Sequence, residues 1–260
     1  MTEEALIAAW EREERAPFAG WDFTYLAGRA RSEGPPSVYP ERAATLMRQA
    51  RAAIDLDTGG GEQLLALRPY WPARLAATEG YSPNLRLATD RLGPLGVEVV
   101  SVESSELARL PFADATFDLV LNRHGGCLPM AEIARVLTPG GTLLTQQVHG
   151  QTLVELLAHF GAAPQWPDAT PAYYLPRIAA AGLELVELDE YTGAEVFTDV
   201  GAVVYFLRAV PWLVPGFRVD THQAPLLALQ RRLVRGEELR FVTRGYRIEA
   251  SKPAERSSEP

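Results

Sequence analysis

Short apolar runs alternate along the chain with segments of helical periodicity, the order expected of a sheet with helices packed on it. The run Ala52–Leu56 is typical of a buried strand and ends in three glycines, after which Gln63–Leu67 favours a helix. Later apolar or alternating runs predict strands over residues 74–79, 97–102, 117–122, 142–149, 183–188 and 241–248. The sequence therefore predicts an α/β fold.

Helical patterns fill most of the segments between these strands. Thr2 can cap an amphipathic helix over residues 2–15, and Pro40–Ala50 leads into the first strand. Ser82 is predicted as the N-cap of the next long helix, with Pro83 at its first helical position. Further helices are predicted over residues 130–137, 154–160 and 176–181.

About fifty residues separate the sixth and seventh strands and carry two more helical patterns. Asp199 can cap the first of these helices, and Gly236 closes the second. We predict that residues 192–237 form a helical insertion that covers a site at the sheet. An extension of the core or a dimer contact is the alternative.

An aromatic segment near the N-terminus predicts either a hydrophobic strap across the sheet or part of a lid, and the strap is favoured. Its members are Phe18, Trp21, Phe23 and Tyr25. A break follows at residues 34–37, where glycine and proline interrupt the pattern. If this segment meets the insertion over one site, candidate pocket residues are Tyr25, Tyr39 and Tyr205.

Composition and charge narrow the class of protein. The chain has 260 residues, of which 47% are apolar and 22% charged, and we predict one domain over 1–250 and a flexible tail over 251–260. No apolar run approaches the roughly 20 residues that span a bilayer, and no secretory signal is expected. A single cysteine, Cys127, excludes internal disulfides and fits a cytoplasmic setting. The formal net charge of −8 argues against a large nucleic-acid footprint.

The glycine triplet is a candidate ligand-binding turn. Successive glycines let the backbone turn sharply and let a ligand approach it, and the following helix begins with unpaired N–H groups. A dinucleotide pattern fits poorly because Leu64 takes its third glycine position, and a tight turn without a ligand is the other alternative. The candidate residues are Asp55, Asp57, Thr58, Gly59, Gly60 and Gly61.

A carboxylate at the end of the second predicted strand strengthens this interpretation. Glu79 lies 24 positions after Asp55 and is followed by Gly80 and Tyr81. An acidic residue at this point can accept hydrogen bonds from both hydroxyls of a ribose. The pair indicates a nucleoside site without choosing between NAD and S-adenosylmethionine, and a solvated glutamate is the alternative.

Three blocks, in order within residues 50–150, carry a family resemblance. Glu106–Asn122 resembles the acidic-x-x-x-Leu-Pro-Phe-x-Asp-x-x-Phe-Asp block of the class I, type 11, S-adenosylmethionine-dependent methyltransferases. Leu137–Leu144 resembles their Leu-x-Pro-Gly-Gly turn. The glycine turn resembles their acidic-x-Gly-x-Gly-x-Gly motif, although Asp57 stands where the first glycine is expected.

The resemblance implies a doubly wound, Rossmann-like sheet of seven strands with strand seven antiparallel, and S-adenosylmethionine as cofactor. Residues 1–50 would form a helical cap and 51–150 the cofactor-binding core. Glu106 would hold the adenine amino group and the Leu107 N–H a ring nitrogen, although Glu106 is one methylene longer than the family's aspartate. A surface helix cap is the alternative for Glu106.

Polar side chains gather where the fourth and fifth strands end, at the edge where α/β sheets bind ligands. Asn122 and Arg123 are therefore expected near the cofactor or the substrate. His124 is the first candidate for a general base and His149 the second, with a structural role as the alternative. Gln146 and Gln147 could contact a polar substrate or satisfy each other.

A second resemblance covers more of the chain and points to one bacterial methyltransferase subgroup. It rests on the glycine turn together with residues 77–81, 122–124, 145–148 and 198–202. The match leaves the methyl acceptor open. Because the subgroup usually has glycine at the position of Asp57, this carboxylate could crowd the methionyl end of the cofactor or pair with its ammonium group.

Three functional hypotheses follow. The first is a methyltransferase acting on a small molecule by in-line transfer, with no metal implied. The second is an RNA or protein methyltransferase, for which Arg231, Arg232 and Arg235 form the one arginine cluster near the expected site mouth. The third is a non-catalytic module that binds the nucleoside or has lost it. Membrane association is not expected, and the sequence does not predict the oligomeric state.

Overall fold

The computed structural model describes residues 2–18, 22–35 and 37–254. Trp21 of the predicted strap, Pro36 of the predicted break and the tail from residue 255 onward lie outside the described residues. Among the described residues, no helix is both long enough and apolar enough to cross a membrane.

Eight strands form one mixed sheet in the order β1-β7-β8-β6-β5-β2-β3-β4. Their bounds are β1 Ala30–Glu33, β2 Ala52–Leu56, β3 Arg74–Glu79, β4 Glu98–Ser101, β5 Phe117–Arg123, β6 Leu137–Val148, β7 Glu184–Phe197 and β8 Leu239–Ser251. The pairs β2–β3, β2–β5, β3–β4 and β5–β6 are all parallel. The order reverses at β2, which places the carboxyl ends of β2 and β5 at the switch point of a doubly wound sheet.

The last strand runs against the parallel set, as predicted for strand seven. At one end of β8, Lys252 exchanges backbone hydrogen bonds with Gly140 and Gly141. At the other end, the His149 N–H donates to the Arg244 carbonyl. Because residue numbers rise along β6 as they fall along β8, the two strands are antiparallel. The Rossmann-like prediction is confirmed.

The sequence did not predict the eighth strand. The short β1 pairs antiparallel with the end of β7, from Ala30 opposite Phe197 to Glu33 opposite Ala194. β7 itself continues to Phe197, beyond the predicted end of that strand at residue 188, so helix follows only from Val200. Polar and apolar residues still alternate in this part of the chain, as at Glu195 and Val196, and β1 supplies the strand that pairs with it.

Nine helices are assigned among the described residues. They are α1 Glu3–Arg15, α2 Tyr39–Gln49, α3 Glu62–Ala66, α4 Ser82–Leu92, α5 Met130–Val136, α6 Val154–His159, α7 Pro171–Ala180, α8 Val200–Ala209 and α9 Gln223–Val234. The predicted caps Thr2 and Asp199 are confirmed, since their side chains accept from the N–H groups of Ala5 and Ala202.

Two helix predictions need correction. Tyr81 and not Ser82 is the N-cap of α4, so Ser82 is the first helical residue and Pro83 the second. α7 begins five residues before the predicted start, at Pro171, and contains Pro176. Proline usually ends a helix because its ring clashes with the preceding turn, which is why the sequence pattern suggested a start there.

The chain divides into two compact units, and each has its own core. The first comprises residues up to 35, 149–169 and 191–245, with α8 buried along most of its length. The second comprises residues 36–148, 170–190 and those from 246 on, and holds the parallel strands with apolar clusters on both faces. Every predicted cofactor-binding residue belongs to the second unit. The predicted domain boundaries stay predictions.

Candidate functional site

The glycine turn leaves β2 through three left-handed residues. Asp57, Gly59 and Gly61 have φ angles of 53°, 63° and 80°. Gly61 also lacks room for a side chain, because a Cβ would lie 2.8 Å from the Cδ1 of Leu92. Glycine is therefore required at Gly61 by both conformation and packing, and the turn exposes main-chain atoms to a ligand.

Glu79 is joined to this turn directly. Its Oε2 accepts a 2.8 Å hydrogen bond from the Gly59 N–H, and its Oε1 accepts a 2.7 Å bond from the Tyr81 N–H. The residue is only 7% exposed, and burial raises the pKa of its carboxyl group. Gly80 lets the chain after β3 pass close to Val102, since a Cβ on Gly80 would lie 2.8 Å from the Val102 carbonyl oxygen. The carboxylate keeps lone pairs for a further donor such as a sugar hydroxyl.

Asp55 is a buried carboxyl group near the carboxyl end of β2. Its pKa is raised to about 7, mainly by desolvation and in smaller part by the carboxylates of Asp57 and Glu79, while Arg123 opposes the shift. At neutral pH this group exists in both protonation states. Thr58, which follows in the turn, is also buried, and its N–H donates to the Thr78 carbonyl at 2.9 Å.

Asp57 binds two neighbouring loops together. Its Oδ2 accepts from the Ser104 hydroxyl at 2.9 Å and from the Gly126 N–H at 3.0 Å. The space around it is tight, because a Cβ on Gly125 would lie 2.8 Å from the same oxygen. Burial raises the pKa of the Asp57 carboxyl group, and these two hydrogen bonds oppose that shift. Thus the carboxylate that replaces the expected glycine bonds within the protein.

Asn122 lies inside the sheet and not on the ligand surface. It is fully buried, its Nδ2 donates to the Leu56 carbonyl at 2.9 Å, and its Oδ1 accepts from Thr145 and Gln147. These bonds fasten β2, β5 and β6 where their carboxyl ends meet. The Asn122 side chain is therefore engaged within the sheet, and its predicted place beside the cofactor stays a prediction.

Arg123 and His124 follow at the end of β5. His124 adopts a left-handed φ of 55°, and its N–H donates to the Gln146 carbonyl at 2.8 Å. The pKa of the His124 imidazole is lowered to about 4, mainly because surrounding protein atoms desolvate its charged form and in part because of the Arg123 guanidinium. The residue nevertheless remains exposed to solvent. The imidazole is therefore neutral at pH 7 and a weak base.

Gln146 and Gln147 do not satisfy each other but divide between two networks. Gln146 bonds to Ser37 and to His124, at 2.9 and 3.1 Å. Gln147 donates to the Asn122 oxygen at 2.6 Å and to the Thr145 hydroxyl at 2.8 Å. Gln147 thus stabilises the sheet, whereas Gln146 orients a candidate catalytic side chain.

The predicted adenine-binding loop is open to solvent. Glu106 forms a 3.5 Å ion pair with Arg177, and both side chains are 42% exposed. Leu107 is 94% exposed and Tyr81 is 65% exposed, which is unusual for apolar side chains of their size. These three predicted residues remain accessible to a ligand.

The other candidate residues fall into both units. Tyr39 is buried in the second unit, and burial raises the pKa of its hydroxyl well above its usual value. In the first unit, Tyr205 is buried, donates to the Pro17 carbonyl and stacks on Tyr25 with ring centroids 4.4 Å apart. His149, also in the first unit, accepts from the Gln151 N–H through Nδ1.

The predicted arginine cluster is engaged with carboxylates. Arg232 and Arg235 both pair with Glu237, at 3.2 and 2.6 Å. Arg231 lies one residue away on α9. An RNA-binding patch needs arginines that are free to contact phosphates. Arg232 and Arg235 are less available for such contacts because each is paired with Glu237.

Sequence reasoning missed Ser37, Ser104 and Gly126, which position Gln146 and Asp57. Each lies on a loop between elements, and no periodicity or motif marks such a residue. Ser37 follows a glycine–proline break and precedes α2, which is the one signal that could have suggested a side chain bonded near a helix start.

Part of the chain is similar in sequence to known methyltransferases. Residues 54–145 match the family described as Methyltransferase domain. A malonyl-[acyl-carrier protein] O-methyltransferase from Xylella fastidiosa is 27% identical over 179 residues, which cover 63% of this chain and 58% of that protein. A demethylmenaquinone methyltransferase from Deinococcus radiodurans is 31% identical over 109 residues, which cover 39% and 45%. The chain thus spans about half the length of these curated relatives.

A solved structure shows the same fold. A candidate methyltransferase from Bacillus halodurans aligns with a TM-score of 0.58 and 19% identity, over 83% of this chain and 97% of that one. The matched family region contains the glycine turn, Glu79 and the end of β5, which are the parts of the sheet that the site geometry brings together. Residues 54–145 thus resemble a methyltransferase domain, and the sheet around them has the fold of a solved candidate methyltransferase.

Proposed function

We propose that the protein binds S-adenosylmethionine and transfers its methyl group to a small molecule. The observation that carries the proposal is the buried carboxylate of Glu79, which is hydrogen-bonded to Gly59 at the carboxyl end of the sheet. A buried acceptor-only group beside a glycine turn suits a ribose, whose hydroxyls are donors. The residues present therefore fit the nucleoside part of the cofactor.

Side chains further along the edge would hold the rest of the cofactor. Glu106 and the Leu107 N–H would hold adenine, with the exposed Tyr81 beside the nucleoside. Gly59, Gly60 and Gly61 would offer main-chain atoms to the methionyl part. When bound, S-adenosylmethionine supplies an activated methyl group on a sulfonium.

The protein's own contribution is alignment and exclusion of water, because the donor is already activated. The left-handed turn at Asp57, Gly59 and Gly61 fixes the loop that faces the cofactor. His124, held by Gln146, presents a neutral imidazole at the end of β5. Its low pKa suits hydrogen bonding to an acceptor more than strong base catalysis.

A small-molecule acceptor is supported by charge and by the relatives. The net charge of −8 and the Glu237 pairs of Arg232 and Arg235 disfavour an RNA acceptor. The two curated relatives carry the names of malonyl-[acyl-carrier protein] and demethylmenaquinone methyltransferases, so at least one acts on a small lipid-like quinone. We therefore place this chain's acceptor among small molecules.

Calorimetric titration with S-adenosylhomocysteine tests the cofactor site. We expect micromolar affinity, about −8 kcal/mol, and at least a tenfold loss in Glu79→Ala or Gly59→Val. Glu98→Ala is the matched control, because Glu98 is an exposed carboxylate at the start of β4. Absence of binding by the folded wild-type protein would refute the proposal and leave the non-catalytic hypothesis.

Transfer itself is tested with methyl-labelled S-adenosylmethionine and a metabolite extract as the source of acceptors. Label is expected in a fraction that resists both ribonuclease and protease and passes a small-molecule filter. Label retained with RNA or with protein would instead support the second hypothesis. Gly59→Val serves as the negative control for label that does not depend on the site.

A further inference from the structure

Arg123 carries a cation that the protein does not neutralise. It is the last residue of β5, opposite Gln146 of β6, and it is partly buried. Its Nε is fully buried and has no hydrogen-bond partner. Throughout the part of the chain that the structure describes, no carboxylate forms an ion pair with its guanidinium.

Two other buried or partly buried arginines of the same unit are paired with carboxylates. Arg135 pairs with Glu132 and Asp114, at 2.7 and 2.8 Å. Arg247 also has a buried Nε without a partner, yet its Nη2 pairs with Glu187 at 2.7 Å. Because a buried charge without a counter-ion is costly, proteins pair such groups. The unpaired state of Arg123 therefore requires an explanation.

The groups around Arg123 are poorly suited to act as its partner. The positive charge of Arg123 lowers the pKa values of Asp55, Tyr39 and His124. The carboxyl group of Asp55 has a pKa near 7 in spite of this charge, Tyr39 holds its proton, and His124 is neutral at pH 7. Arg123 thus remains the local cation at the carboxyl edge of the sheet.

We propose that Arg123 is the receptor for a carboxylate group that a ligand brings into the site. The planar guanidinium fork matches a carboxylate, and a singly charged anion would neutralise it. A phosphate dianion is a poorer fit, since it carries more charge than one guanidinium neutralises. The receptor role rests on Arg123 alone, whereas the source of the carboxylate rests on the proposed function.

Two ligands of the proposed reaction could supply that group. One is the cofactor, whose methionyl part ends in a carboxylate. The other is a methyl acceptor that is itself a carboxylic acid. Both sources require the same contact, so the experiment must observe Arg123 directly and compare ligands that have the carboxylate with ligands that lack it.

The Nε–H signal of Arg123 in ¹⁵N-arginine-labelled protein provides this observation. Its assignment follows from its absence in Arg123→Lys. S-adenosylhomocysteine, 5′-methylthioadenosine, which lacks the methionyl carboxylate, and acetate are the probes. The Nε itself is buried, but the guanidinium is delocalised, so a carboxylate bound at the Nη groups is expected to shift the Nε–H resonance.

The pattern of shifts distinguishes the two sources. If the cofactor supplies the carboxylate, S-adenosylhomocysteine shifts the signal and methylthioadenosine does not, while acetate shifts it in the methylthioadenosine complex but not in the S-adenosylhomocysteine complex. If the acceptor supplies it, acetate shifts the signal equally in the S-adenosylhomocysteine complex. A signal that responds to none of the three probes would overturn the proposal. Should the nucleosides fail to bind, acetate added to the free protein still tests Arg123, so failure of the cofactor site is a separate result.

Affinity measurements give an independent readout. Arg123→Met is expected to weaken binding of the carboxylate ligand by about tenfold or more, the effect of losing a charged hydrogen bond, and to leave methylthioadenosine unaffected. Arg123→Lys should retain part of the affinity, since it keeps the charge and loses the fork. Arg86→Met, an exposed arginine on α4, is the matched control. Equal loss for ligands with and without a carboxylate would contradict the proposal.

Discussion

The side-chain amide of Gln146 donates to the imidazole of His124, with 3.1 Å between the two Nε2 atoms. The Ser37 hydroxyl donates to the other end of the amide, Oε1, at 2.9 Å and so directs the NH₂ group toward His124. Because an amide NH₂ can only donate, the Nε2 of the neutral imidazole must accept, and its proton lies on Nδ1. His124 therefore offers an Nδ1–H donor.

This tautomer is open to direct measurement. In ¹⁵N-histidine spectra of the wild type, we expect Nε2 of His124 to be unprotonated from pH 5 to 8, with ring protonation only near pH 4. Gln146→Glu replaces the donor by a carboxylate, which should draw the proton to Nε2 and raise the imidazole pKa. Ser37→Ala is the control, and it should leave the pKa low while mixing the tautomers. A wild-type Nε2–H would contradict the assignment.

Asp57→Gly tests the role of the carboxylate that departs from the family pattern. The variant loses the bonds from Ser104 and Gly126 but relieves a left-handed residue, so the free energy of unfolding should change by no more than about 1 kcal/mol. Amide hydrogen exchange at Gly126 should accelerate by about tenfold, because its N–H loses its acceptor. Ser104→Ala removes the other bond to Asp57 and the bond from the Cys127 N–H, but keeps the acceptor of the Gly126 N–H, so Gly126 should stay protected. Unchanged exchange at Gly126 in Asp57→Gly would show that the bond carries no stability.

The parallel part of the fold could be predicted because each signal was local. The strand over 74–79 has the predicted bounds, and Thr2 and Asp199 cap their helices as expected. The strand β1 could not be predicted, since three of its four residues are polar and none is buried, and its partner lies more than 160 positions away at Ala194–Phe197. Pairing at that distance leaves no pattern in the sequence of the short strand.

The site shows the same division. Glu79 was predicted from its place at a strand end, and the structure adds its bond to Gly59. The bonds of Asn122 inside the sheet could not be predicted, because a strand-end position does not reveal which face a side chain takes and a shift of one residue reverses the face. The networks of Ser37 and Ser104 depend on loops brought together by folding, so no spacing in the sequence could reveal them.

Arg29 joins three segments of the first unit, and its removal is expected to be costly. It forms ion pairs with Glu13 of α1, at 2.9 Å, and with Asp199, the cap of α8, at 2.7 Å. Arg29→Met leaves both carboxylates without their partner and should lower the free energy of unfolding by about 1–3 kcal/mol in urea titrations. Arg31→Met, which removes exposed pairs to Glu33 and Glu238, should cost less than about 1 kcal/mol. Equal effects of the two variants would refute the special role of Arg29.

Asp55 makes the stability of the protein depend on pH in a direction that can be worked out. Its pKa is about 7 in the folded protein and near 3.8 when the chain is unfolded. Between these values the folded state holds a proton that the unfolded state has lost, so the contribution of Asp55 to stability falls as pH rises from about 4 to 7. Above pH 7 the full cost of a buried carboxylate is present.

Asp55→Asn should remove this cost while keeping a side chain of the same shape. We expect the variant to be more stable than the wild type by roughly 2–4 kcal/mol at pH 8, and nearly equal to it at pH 4, in urea titrations at both pH values. The comparison between variant and wild type cancels the other titrating groups. Asp90→Asn, which changes an exposed carboxylate on α4, should show no such growth with pH. If the stability difference for Asp55→Asn stays constant from pH 4 to 8, the carboxyl group of Asp55 is not held protonated by its burial.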